Sequence, residues 1–182
     1  MHDITLWPSV GGVLEACGRE HALEVAHLAR RAAPALGIDP ELAYVAGLLH
    51  DVGKISVPLD ILGAERALSV SEWTLVRAHP VEGEGLIRKW WPDAPASLLH
   101  AVRHHHERLD GQGYPDQLRS LPDLTALIAV ADVYVALREA RPYRVSRSVQ
   151  ESAEILRGEP LPAHVISAVL DAAVLCSASR VV

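Results

Sequence analysis

Phenylalanine is missing from these 182 residues, and tyrosine and tryptophan raise the aromatic share to only 4%. The core must therefore rest on Ala, Leu, Val and Ile, which suits closely packed helices. Cys17 and Cys176 are the only cysteines, too few for a disulfide framework, so a reducing cytoplasm is the expected setting. No stretch approaches about 18 consecutive apolar residues, which excludes a transmembrane helix by length. Met1 to Pro8 lacks both the basic start and the apolar run of a signal peptide. A basic excess is absent too. The formal net charge is −6, which argues against a general nucleic-acid-binding surface and leaves small anionic ligands open, because local charge can oppose the net value. There is no internal repeat, low-complexity tract or linker, and no segment alternates with period two for long enough to argue a strand. A hydrophobic share of 49% and a charged share of 22% fit a globular chain rather than a disordered one.

What remains is helical. Val13 to Ala35 reads as one amphipathic helix, with Leu14, His21, Val25, Leu28 and Ala32 along one face. Gly37 ends it, Asp39 offers an N-cap before Pro40, and the next helix runs to His50. Gly53 marks a turn, and Ser56-Val57-Pro58 reads as loop. Ser69-Val70-Ser71-Glu72 matches a capping box opening a short helix toward His79-Pro80. Glu82 to Trp91 and Ala94 to His106 read as further helices. Glu107 to Pro122 is dense in turn residues and reads as an irregular loop. Asp123 to Glu139, Ser148 to Arg157 and Pro162 to Ala173 complete the set. The expected architecture is all-α, a single-domain helical bundle spanning residues 1–182 with its core at about 13–174.

Ten histidines are the compositional oddity, and two of the acids near them sit in apolar surroundings. His50-Asp51 closes the run Leu42 to Leu49, and Asp132 lies inside the run Leu124 to Leu137. Taking a carboxylate out of water costs several kcal/mol unless a cation or a full set of donors compensates. A metal is the simplest such partner. His21, His50, Asp51, His79, His105, His106 and Asp132 supply enough ligands for a shared site. Imidazole with carboxylate suits Fe, Mn, Zn or Ni, and the lack of clustered cysteines argues against structural zinc. Asp51 has two oxygens and can serve one ion through each. Two ions a few ångströms apart can generate hydroxide from water and stabilise charge on a phosphoryl group.

In this order and spacing the chain resembles the HD superfamily of metal-dependent phosphohydrolases, and within it the HD-GYP subgroup. The matching pieces are His21-Ala22-Leu23-Glu24-Val25-Ala26, Leu48-Leu49-His50-Asp51-Val52-Gly53-Lys54-Ile55, Val57-Pro58, His79-Pro80, His105-His106-Glu107-Arg108-Leu109-Asp110-Gly111-Gln112-Gly113-Tyr114-Pro115, Val130-Ala131-Asp132-Val133-Tyr134 and Arg141-Pro142-Tyr143-Arg144. The resemblance implies an HD-type helical bundle that hydrolyses cyclic di-GMP to linear dinucleotide or GMP. It implies two divalent ions, Fe or Mn, held by His21, His50, Asp51 and Asp132 and by His79, His105 and His106, with Asp51 bridging. Lys54 resembles the lysine facing the scissile phosphate, and Arg141 and Arg144 resemble residues that hold substrate phosphates. Gly113, Tyr114 and Pro115 match a loop implicated in contacts with diguanylate cyclase domains, and a homodimer is compatible with the reading.

Departures fall around the substrate more than around the metals. Cys17 stands where some members carry a glutamate for a third metal, so two ions are expected. Val135 replaces a second aspartate, Ala126-Leu127 an Ala-Arg pair, and Leu161-Pro162-Ala163 a Phe-Asp-Pro. Two other functions therefore stay open: a phosphohydrolase for another nucleotide, and a degenerate sensory or scaffold module that binds without hydrolysis. Structural roles are also open for several residues. His79 can cap a helix end, Gly111 and Gly113 can serve a turn of positive φ under Tyr114, and Arg138, Arg141, Arg144 and Arg147 can form a charged face. His104 reads as a solvated or supporting neighbour, and the four tryptophans as packing.

Overall fold

In the computed structural model, residues 18–139 and 146–178 are described, and among them every regular element is helical. The α-helices are α1 (Arg19–Ala32), α2 (Pro40–Leu49), α3 (Leu59–Leu62), α4 (Val70–Arg77), α5 (His79–Trp90), α6 (Ala96–His104), α7 (Asp123–Arg138), α8 (Val149–Gly158) and α9 (Ala163–Ala178). Short 3-10 turns cover Ala33–Leu36 and Val52–Ser56.

The local signals explain most ends. Asp39 accepts from the Glu41 amide at 2.9 Å ahead of α2. Ser69 with Glu72 and Ser148 with Glu151 each close a capping box, which satisfies amides a helix start otherwise leaves unpaired. Gly37 stops the first helical stretch with φ 66°. Gly18, at φ 93°, precedes α1, so a helix running unbroken from Val13 is corrected to one that begins at Arg19. Pro80 does not end a helix. It sits in the first turn of α5, where its missing N–H has no helical partner to lose.

Helix α7 is the axis of the bundle. Apart from Thr125 and Asp132 it is apolar on all sides from Leu124 to Leu137, and a helix of that kind must be buried. It packs against α1, α2, α6, α8 and α9. Small residues let the helices approach. Gly47 of α2 lies so close to α1 that a Cβ there would stand 2.7 Å from the Ala26 Cα. Trp90 and Trp91 pack on the core, whereas Trp73 on α4 is half exposed, and no residue of α4 is buried. No helix among the described residues is long and apolar enough to cross a membrane.

Candidate metal centre

One local arrangement occurs three times. His50, His79 and His105 each stand just past the end of a helix, and each ring Nδ1 meets the carbonyl three residues back: Gly47 at 2.7 Å, Val76 at 2.7 Å and Val102 at 2.8 Å. Helix ends leave such carbonyls without an intrahelical partner. A carbonyl can only accept, so each Nδ1 carries the hydrogen and each Nε2 of the neutral ring is left with a lone pair. For His79 the helix-capping role and a binding role thus coexist, because the capping bond aims Nε2 inward.

The three lone pairs converge on Asp51. His79 Nε2 is 3.1 Å from Oδ1 and His105 Nε2 is 3.9 Å from it, while His50 Nε2 is 3.3 Å from Oδ2. His79 Nε2 also faces His105 Nε2 at 3.3 Å. Two apposed lone pairs repel unless a proton or a cation lies between them. His50 Nε2 and Asp51 Oδ1 are buried and have no hydrogen-bond partner, an arrangement that costs stability for polar groups out of water. Soft-to-borderline nitrogen donors converging on hard oxygens fit a divalent transition ion. Donor atoms of Asp51, His79, His105 and His106 fall within 4.8 Å of one another, as do those of His21, His50 and Asp132.

Electrostatics agree with the geometry. Burial, helped by neighbouring imidazoles, holds His105 well below its ordinary range and pushes His106 down to about 3, so both are neutral near pH 7. Burial alone would raise Asp51, but the Lys54 ammonium and the neighbouring His50 imidazole outweigh it and hold the carboxyl well down. Burial likewise opposes ionisation of His21, yet the hydrogen bonds its ring donates to Asp132 and Glu139 raise it to about 10. Those contacts are short: Nε2 to Asp132 Oδ1 is 3.0 Å and Nδ1 to Glu139 Oε1 is 2.6 Å.

A cleft of about 500 Å³ opens over the cluster, lined by His21, Asp51, Lys54, His106, Arg108 and Asp132 among others. Lys54 donates to Asp51 Oδ2 at 2.5 Å. Tyr114 stacks on the His106 ring with centroids 4.7 Å apart, which fixes the plane of that imidazole. The glycines before it serve different ends. Gly111 has φ 74°, a true left-handed turn, but Gly113 does not, and is required because a Cβ there would meet the Glu107 Cα at 2.4 Å.

Of the residues the sequence singles out, His21, Asp51, Lys54, His106 and Asp132 line this cleft, while His50, His79 and His105 lie buried beneath it around Asp51. Arg141, Arg144 and Cys17 lie outside the described residues. Glu107 and Arg108 stand in the sequence as parts of the matched motif with no role of their own, and Glu139 carries no signal there. Glu107 is fully buried, and its two carboxylate oxygens accept from the Asp116 amide at 2.6 Å and the Leu118 amide at 3.0 Å, which holds the loop in shape. His104 and Arg103 tie the same loop down through Asp116, His104 Nε2 lying 2.8 Å from its Oδ2. Glu107→Gln keeps one acceptor oxygen and strands one amide, so it should cost about 1–3 kcal/mol. Thermal unfolding would then fall by about 2–4 °C per kcal/mol, and an unchanged midpoint would contradict this role.

The HD-domain family model matches residues 18–137. A 3'3'-cGAMP-specific phosphodiesterase of Vibrio cholerae is 36% identical over 157 residues, which cover 84% of this chain and 36% of the relative. A cyclic di-GMP phosphodiesterase of Pseudomonas aeruginosa is 39% identical over 112 residues, 60% of this chain and 27% of the relative. The chain thus spans about a third of the length of these relatives. Among solved structures, the HD domain of the L. monocytogenes phosphodiesterase PgpH, in complex with cyclic-di-AMP, aligns with TM-score 0.71 and 16% identity over 96% of this chain and 97% of that one.

Proposed function

The chain belongs to the HD-domain family and carries the motifs of its HD-GYP subgroup, and from that premise we propose that it is a metal-dependent phosphodiesterase hydrolysing cyclic di-GMP to the linear dinucleotide or GMP. The observation that carries this reading is the convergence of three buried imidazole lone pairs on one carboxylate at the base of an open cleft. Two divalent ions, iron or manganese, are assigned to it. One is held by His21, His50 and Asp132 with Asp51, the other by Asp51 with His79, His105 and His106. When bound, such a pair supplies a nucleophile from water near neutral pH and neutralises charge on phosphoryl oxygens.

The protein's own residues set the rest. Asp51 turns Oδ1 toward His79 and Oδ2 toward His50, one oxygen to each set. His50, His79 and His105 are at most 1% exposed, so substrate approaches past the cleft lining, which includes His21, Asp132, Lys54, His106 and Arg108. A phosphodiester entering there meets the Lys54 ammonium, a cation already placed where negative charge grows in the transition state. Arg141 and Arg144 are assigned to the substrate phosphates, since guanidinium groups pair two donors with phosphate oxygens. A diguanylate cyclase domain against the Gly113-Tyr114-Pro115 loop and a homodimer belong to the same proposal.

A second substrate is favoured by the relative named for 3'3'-cGAMP. The test is the full chain loaded with Mn or Fe and offered cyclic di-GMP, 3'3'-cGAMP and nucleoside monophosphates, with products separated by chromatography. Turnover of a cyclic dinucleotide is expected. Turnover of monophosphates alone would replace the proposal with a different phosphohydrolase, and tight dinucleotide binding without product would replace it with a sensory module.

A further inference from the structure

Of the imidazoles at the cleft, His21 is held differently from His50, His79 and His105. It sits in the first turn of α1 rather than past a helix end, and its Nδ1 meets a side chain from the far end of α7, Glu139 Oε1, at 2.6 Å. Glu139 is the residue at which the chain leaves α7, with φ −73° and ψ 137°, while its amide still donates to the Val135 carbonyl. That break lets the carboxylate turn back across α7 to α1. On the other side of the ring, Nε2 lies 3.0 Å from Asp132 Oδ1. Both ring nitrogens donate here, Nδ1–H to Glu139 and Nε2–H to Asp132; when an ion takes the place of the Nε2 hydrogen, Glu139 still accepts from Nδ1–H, so the freed lone pair stays on the nitrogen that faces the cluster and the ring cannot turn over to present the other one. The carboxylate also makes Nε2 a stronger electron-pair donor.

We propose that Glu139 is a positioning residue for the metal ion assigned to His21, His50 and Asp132, fixing the tautomer and plane of His21. The inference rests on the two-metal reading. It predicts a graded response, because Glu139→Gln still accepts from Nδ1–H through its amide oxygen and Glu139→Ala does not.

The full chain and both variants are loaded with Mn, counted by elemental analysis and titrated against a competing chelator. Wild type should hold two ions. Glu139→Ala should hold one as before and lose about 10–100-fold in affinity for the other, while Glu139→Gln stays within a few-fold of wild type. In Zn-loaded protein, nitrogen NMR should show His21 bound through Nε2 in wild type and Glu139→Gln, and a mixture of ring states in Glu139→Ala. Without metal, Glu139→Ala should unfold only slightly below wild type, by the loss of one hydrogen bond, and the gap should widen when Mn is added. Wild-type affinity in Glu139→Ala, equal losses in both variants, or a matching fall in metal-free stability would each overturn the role. Failure of wild type to take up two ions would instead sink the proposed function itself.

Discussion

Asp51→Ala is expected to empty most of the metal from the protein and abolish turnover together, a larger effect than removal of any one histidine. The reason is positional. Oδ1 stands 3.1 Å from His79 Nε2 and Oδ2 stands 3.3 Å from His50 Nε2, so one truncation takes a donor from both proposed sets. It also leaves the three Nδ1-anchored imidazoles facing a void and removes the 2.5 Å partner of Lys54. Metal assistance contributes several kcal/mol to phosphoryl chemistry, and each 1.36 kcal/mol is a factor of ten in rate. A loss of about 10³-fold or more in turnover of the cyclic dinucleotide follows. Elemental analysis of the full chain purified without chelator should fall from near two equivalents to well below one. Added Mn should raise the unfolding temperature of wild type and leave that of the variant unmoved, since a ligand stabilises only the state that binds it. A variant that keeps both ions and normal turnover would refute the shared role of Asp51.

The site was legible because its residues contradict their surroundings. A carboxylate at 51 after an apolar helix, and another at 132 inside one, need partners that sequence alone can demand. Glu139 sent no such signal, since an acid beside Arg138 at a helix end looks like any solvated charge, and its bond to His21 depends on how α1 crosses α7. Glu107 was visible in the histidine string, but its work is done on amides nine and eleven residues away in an irregular loop. Helix existence followed the 3.6-residue period, whereas the small elements did not: α3 has only Leu59–Leu62, and Ile61 is its one buried residue. Such a turn is settled by tertiary packing, which no local pattern encodes. The same holds for α5, whose start at His79 rather than Glu82 is fixed by what it must touch.

What it touches is Gly53, and Gly53→Ala is the second change with a large expected effect. As a sequence feature this glycine marks a turn, yet its φ is not left-handed, so conformational freedom is not the reason it is there. A Cβ on Gly53 would lie 1.9 Å from the His79 carbonyl oxygen and 2.5 Å from the Gly83 amide nitrogen. Both obstacles are backbone, so neither can rotate aside. Relief requires α5 to move as a unit, and His79 opens α5 with its Nε2 aimed at Asp51. Overpacking of a well-filled core costs about 1–3 kcal/mol and more where the backbone must shift; the upper end is expected here, with unfolding lowered by about 6–12 °C. Displacing His79 should also weaken Mn binding at the Asp51, His79, His105 and His106 set, measured by chelator competition. Gly85→Ala is the matched control, since a Cβ there meets nothing within 4 Å on the same helix. Alanine in a helix interior is favoured over glycine by about 0.5–1 kcal/mol, so that variant should unfold at or slightly above the wild-type temperature with both ions bound. Should Gly53→Ala behave like its control, the contact between the Val52–Ser56 turn and α5 does not position His79, and the geometry of that half of the centre must be set elsewhere.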